Sequence, residues 1–89
     1  MRILLVEDDK NLLETLSFQL THAGFIVDTC ENGEDALYYI TENIHDLILL
    51  DRMLPIIDGI TVLQKLRASG NQIPVILLTA LGELSDKIT

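Results

Sequence analysis

The chain has 89 residues, 48% of them hydrophobic and only 4% aromatic, so it can bury one core of Leu, Ile and Val and has no room for a second functional module. Fourteen acidic residues against six basic ones leave a net charge of −8, the wrong sign for direct contact with nucleic acid or an anionic membrane. No apolar run approaches the ~20 residues that span a bilayer. The start carries no secretory signal and the single cysteine, Cys30, cannot form an internal disulfide, so a reducing cytoplasm is the expected setting.

The first element is the short apolar run Ile3 to Val6, which stops at Glu7, Asp8 and Asp9 as a strand buried on both faces would. From Lys10 to His22, Leu12, Leu13, Leu16 and Leu20 recur at helical spacing and Gly24 marks the stop; Asp9 is placed to cap this helix. Phe25 to Thr29 reads as a second strand. After the turn residues Asn32 and Gly33, the spacing of Ala36, Leu37 and Ile40 predicts a second helix. Asp46 to Leu50 reads as a third strand delivering Asp51. Pro55 and Gly59 punctuate the loop that follows, Ile60, Leu63, Leu66 and Arg67 carry a third helix, and Gly70 ends it. Ile73 to Leu78 is a fourth strand with Thr79 at its carboxyl end, and Ser85 could cap a further helix beginning at Asp86, of which fewer than two turns would fit before Thr89.

Strands alternating with helices predict an α/β fold, a doubly wound parallel sheet with right-handed crossovers and helices on both faces. In such sheets ligands sit beyond the carboxyl ends of the strands. The residues delivered there are Glu7, Asp8, Asp9, Asp51 and Thr79. Carboxylates crowded into one crevice repel by about 4 kcal/mol per pair at ~4 Å and an effective dielectric of ~20, so the cluster should recruit a cation or hold a proton. All-oxygen ligands suit Mg²⁺ rather than Zn²⁺, which favours His or Cys. Taken singly, each acid could equally be a solvated loop residue or a helix cap. A metal beside one further aspartate is a phosphoryl-transfer arrangement, with Asp51 as nucleophile and acyl phosphate as product. Thr79 could donate its hydroxyl to the phosphoryl group and change rotamer in response.

These residues carry a family resemblance. The run from Ile3 to Asp9, the segment Leu49-Leu50-Asp51-Arg52-Met53-Leu54-Pro55 with Asp58-Gly59, and Pro74 to Ala80 with Thr79-Ala80 together resemble the receiver domain of two-component response regulators, in order and spacing from Met1 to Thr89. The resemblance implies a flavodoxin-like receiver fold with strand order 2-1-3-4. It also implies phosphorylation of Asp51 by a sensor histidine kinase, Mg²⁺ held by Asp8 and Asp9 together with Asp51, a switch at Thr79, and an output that is commonly transcription. Receiver domains continue through a fifth strand, a contacting lysine and a fifth helix, so residues 1–89 read as a receiver domain truncated at its carboxyl end, with no output domain. An open fourth-strand edge at Val75 to Leu78 would then invite a homodimer or an element-exchanged oligomer.

Three other readings stay open. An interaction or dimerisation module could keep the fold and do no chemistry. A haloacid-dehalogenase-like phosphohydrolase would also place a nucleophilic aspartate at a strand end, but it wants a second aspartate two positions on, where Met53 stands. A flavodoxin-like flavin binder shares the topology, yet Glu7, Asp8 and Asp9 would repel the flavin phosphate.

Overall fold

The fold was analysed in a computed structural model, which describes residues 1–51, 54–78 and 84–88, the last of these by backbone alone. Among the described residues, five strands and three helices follow in the order β1 (Arg2–Val6), α1 (Lys10–His22), β2 (Ile26–Cys30), α2 (Gly33–Ile40), β3 (Leu47–Asp51), α3 (Gly59–Ala68), β4 (Val75–Leu78) and β5 (Leu84–Ile88). The sheet order is β2-β1-β3-β4-β5. The first four strands are parallel, in the expected order, with Leu4 opposite both Asp28 and Ile48, and Ile48 opposite Val75.

Each helix begins on a side-chain oxygen that replaces missing backbone partners. Asp9 Oδ1 accepts from the amides of Asn11 and Leu12 at 3.0 and 3.2 Å, Asn32 Oδ1 from Asp35 at 2.8 Å, and Asp58 Oδ1 from Thr61 at 2.8 Å. The stops are equally local. Gly24 donates to the Thr21 carbonyl and Phe25 to that of Leu20 at 3.0 and 3.2 Å, while Gly70 and Asn71 repeat the pattern on Arg67 and Leu66 at 3.0 and 3.3 Å. This double return needs a left-handed residue, and the two glycines have φ of +102° and +87°.

Alternation along the parallel strands sorts the core onto two faces. Leu4, Val6, Ile48, Leu50 and Val75 are buried on one face with Ala36 and Ile40 of α2 and Val62 and Leu66 of α3. Ile3 and Leu5 point the other way and are buried too, as is Leu13 of α1, but Leu47, Leu49 and Ile76 on that face are only half-buried. Among the described residues, two helices seal one face and one helix covers the other in part.

The amino ends of the strands are tied together by charge. Asp28 on β2 accepts from Arg2 Nε at 2.7 Å and from the second guanidinium nitrogen at 3.3 Å, and it lies 2.7 Å from Nε2 of the buried His45. The hydrogen bond from Arg2, and secondarily that from His45, hold the Asp28 carboxyl below the ordinary carboxylate range.

Two expectations are corrected here. Residues 84–88 form no helix; they are a strand, antiparallel to β4, with Ile88 opposite Ile76 and Leu84 opposite Leu78 across an irregularity. The outer edge of β4 is therefore paired within the chain rather than open. The physical reason is non-local: a helical turn fixes several residues for one hydrogen bond, whereas the edge of β4 offers a row of unpaired donors and acceptors.

Candidate functional site

β1 and β3 are neighbours in register, with Val6 opposite Leu50, so whatever follows Val6 emerges beside Asp51. The Glu7 amide extends the β1 ladder by one residue, donating to the Cys30 carbonyl at 3.1 Å. Asp51 is still within β3, paired with Leu78 of β4. The result is a cluster in which one carboxylate oxygen each from Glu7, Asp8 and Asp51 lies within 4.8 Å of the others.

The three acids differ in environment. Glu7 is 4% and Asp51 7% exposed, whereas Asp8 faces solvent. Burial is the main cause that pushes the Glu7 carboxyl from its ordinary 4.5 up to about 8, followed by its hydrogen bond with Asp51 and the charges of Asp51, Asp8 and Asp9. Without a cation, Glu7 thus holds its proton near neutrality while hydrogen-bonded to Asp51. Its other oxygen, Oε2, is buried with no hydrogen-bond partner among the described residues. An orphaned buried oxygen beside two further carboxylates is a site whose polar demand the described residues leave unmet. A small divalent cation with oxygen preference fits this donor set.

Of the acids singled out from sequence, Asp8 and Asp51 are brought together, and Asp9 is not among the converging three. Its Oδ1 is committed to the α1 cap. Glu7 takes the place expected of Asp9. Sequence reasoning placed Glu7 at the strand end but passed over it as a ligand; the signal available was the helix start at Lys10, which makes Asp9 a cap and leaves the two preceding acids for the crevice. Thr79 lies outside the described residues, as do Arg52 and Met53.

The described part of the loop from β3 to α3 runs from Leu54 to Asp58. Leu54 and Ile57 pack on the core, and Asp58 caps α3. Between them Ile56 has φ of +70° and is 75% exposed, while Ile57 N–H donates back to the Pro55 carbonyl at 2.8 Å. Gly33 at the start of α2 lets this loop approach: a Cβ there would lie 2.4 Å from the Ile57 carbonyl oxygen and 2.7 Å from Val62 Cγ2. Two clefts lie apart from the acids. One, of about 520 Å³, runs between α1 and β2 and includes Lys10, Leu13, Phe18 and Thr29; the other, of about 760 Å³, lies between the carboxyl ends of α2 and α3.

Comparison with known proteins gives a consistent result. The sequence matches the response regulator receiver domain over residues 3–89. It is 42% identical over 88 residues to the transcriptional regulatory protein DltR of Streptococcus agalactiae and 40% identical over 88 residues to the transcriptional regulatory protein CusR of Escherichia coli, covering 99% of this chain and 39% of each relative. The chain thus spans about two fifths of the length of those relatives. Among solved structures, the receiver domain of a Francisella response regulator is similar with a TM-score of 0.86 and 33% identity, covering 92% of this chain and 68% of that one. The response regulator TrrA of Thermotoga maritima, solved in complex with Mg²⁺ and BeF, gives 0.83 and 40%, covering 89% of this chain and 69% of that one.

Proposed function

Since the chain belongs to the response regulator receiver domain family, we propose that residues 1–89 act as one phosphoacceptor unit of a two-component response regulator, a signalling domain rather than an enzyme. Asp51 accepts a phosphoryl group from a sensor histidine kinase, and the output is transcription, as the names of the similar regulators suggest. The observation that carries this reading is the convergence of Glu7, Asp8 and Asp51 beyond the carboxyl ends of β1 and β3.

In the transfer, an Asp51 carboxylate oxygen attacks phosphorus, the phosphorus–nitrogen bond of a phosphohistidine breaks, and the electron pair stays on the imidazole nitrogen, which then takes a proton. Glu7 and Asp8, with Asp51, are the residues that would hold Mg²⁺. When bound, that ion supplies positive charge against which carboxylates and a phosphoryl group can be brought together. Asp8, being exposed, leaves one side of the cluster open to an incoming group. Thr79, next after β4, is the residue we assign to sensing the new charge, on the strength of the resemblance of Thr79-Ala80 to the family's switch pair. A cytoplasmic setting follows from the same reading.

Incubation with acetyl phosphate and Mg²⁺, followed by intact-mass measurement, tests the assignment. A gain of about 80 Da that Asp51→Asn abolishes is the expected result. Absence of a gain would leave an interaction module that keeps the fold without the chemistry. Self-association at the β4 edge, as proposed for the chain, now requires β5 to leave β4 or to be extended by another strand; light scattering showing a monomer at all concentrations would remove that part.

A further inference from the structure

Asn32 is the chain's one asparagine followed by glycine; Asn11, Asn43 and Asn71 precede Leu12, Ile44 and Gln72. With no side chain on Gly33 to hinder approach, its backbone nitrogen is the best placed of the four to attack an asparagine side-chain carbon. The fold nevertheless depends on both residues. Asn32 caps α2 with two groups at once: Oδ1 accepts from the Asp35 amide at 2.8 Å, and Nδ2 donates to Asp35 Oδ2 at 3.1 Å. Gly33 is buried, with the Ile57 carbonyl oxygen and Val62 Cγ2 where a Cβ would lie. The most labile dipeptide in the chain is thus built into a contact that a bulkier second residue would spoil.

In the closed fold the attack is obstructed. The Asn32 side chain would have to leave both Asp35 partners and turn back on the Gly33 nitrogen, and the backbone at Asn32, extended with ψ of 165°, would have to rotate while Gly33 is wedged against the loop. We propose that Asn32 is a deamidation site gated by the loop between β3 and α3, independently of any chemistry at Asp51. When Ile57 lifts from Gly33, the Gly33 nitrogen gives up its proton and bonds to Asn32 Cγ, the Cγ–Nδ2 bond breaks, and the proton leaves with ammonia. Water then opens the succinimide to aspartate or isoaspartate. Neither product restores both bonds of the cap. Aspartate sets a second carboxylate against that of Asp35, and isoaspartate adds a methylene to the backbone and carries the acceptor off the Asp35 amide. A transient opening is thereby written into the chain as a permanent one.

The experiment incubates wild type and Ile57→Ala at mildly alkaline pH and follows position 32 by peptide mapping that separates asparagine, aspartate and isoaspartate. Unfolded in urea, wild type should convert at Asn32 well ahead of Asn11, Asn43 and Asn71. Folded wild type should convert at least about tenfold more slowly than the unfolded chain, as expected of a segment that must open to react. Ile57→Ala, confirmed as folded by circular dichroism, should regain about tenfold of that rate, because the loop has lost its anchor on the core. Equal rates in folded and unfolded wild type overturn the proposal, and so does an unchanged rate in folded Ile57→Ala. Should Ile57→Ala fail to fold, wild type in urea below its transition decides: conversion that rises ahead of global unfolding supports the gate, and conversion that tracks only the globally unfolded fraction overturns it. Asn32→Asp, which installs the aspartate product, should melt a few degrees below wild type by a margin that added salt narrows. An Asn32→Asp chain as stable as wild type overturns the claim that aspartate formation makes the opening permanent.

Discussion

Replacing Glu7 by Gln keeps the side chain's size and removes its titration, which isolates the electrostatic load of the site. The folded chain holds the Glu7 proton up to about pH 8, while the unfolded chain releases it near 4.5. Between those values the folded state binds more protons, so stability is full below about pH 4.5 and falls as pH rises toward 8. At about 1.36 kcal/mol per pH unit the whole window corresponds to at most about 5 kcal/mol, so the expected loss is on the order of a few kcal/mol. Urea unfolding followed by far-ultraviolet circular dichroism at pH 5, 6, 7 and 8, at constant ionic strength with chelator, measures it. Groups that titrate identically in both proteins cancel in the difference between wild type and Glu7→Gln. Asp28, held low by Arg2, loses its contribution only as pH falls below its ordinary 3.8, outside this window. Wild type should lose stability toward pH 8, the variant should show a much flatter profile, and Mg²⁺ should restore the wild type at pH 8. A wild-type profile that rises from pH 5 to 8 without metal, or a variant that keeps the full slope, would refute the reasoning.

Two further substitutions probe the geometry. Gly33→Ala drives a Cβ against a backbone carbonyl at 2.4 Å and should lower stability in urea unfolding by about 1 to 3 kcal/mol, an overpacking cost that no flexible side chain can absorb. Asp9→Ala should cost about 1 kcal/mol in the same assay through loss of the α1 cap. In calorimetric titration with Mg²⁺ it should change affinity by less than about threefold, whereas Asp8→Asn should weaken binding about tenfold or more by removing one of the converging charges.

Most of the fold was legible because its determinants are local. Gly24 and Gly70 marked helix ends that are closed by left-handed residues, and Asp9 marked a helix start that its own carboxylate makes. The apolar runs from Ile3 to Val6 and Leu47 to Leu50 gave strands, and their alternation with helices gave the parallel order. Boundaries moved by a residue or two: Asp51 belongs to β3 rather than lying past it, and β4 starts at Val75 rather than Ile73. What depended on distant partners was hidden. Whether residues 84–88 coil or extend is decided by the free edge of β4, not by Ser85 or Asp86. Which of three consecutive acids face one another depends on the direction in which β1 ends, and a carboxylate cannot fully serve a helix cap and a cation at once. Ile56 left no mark at all, since a positive φ on a β-branched residue is a property of the loop's closure on Gly33 and not of its own sequence.

The clasp of Arg2, Asp28 and His45 lies at the opposite end of the strands from the acids. Along a single strand direction the sheet therefore runs from a riveted hem, where Arg2, Asp28 and His45 draw β1, β2 and the approach to β3 together, to a fringe where a proton on Glu7, hydrogen-bonded to Asp51, keeps the carboxylates of β1 and β3 from facing one another as like charges. Any proton or cation that settles at the fringe tightens it against a hem that is already fixed.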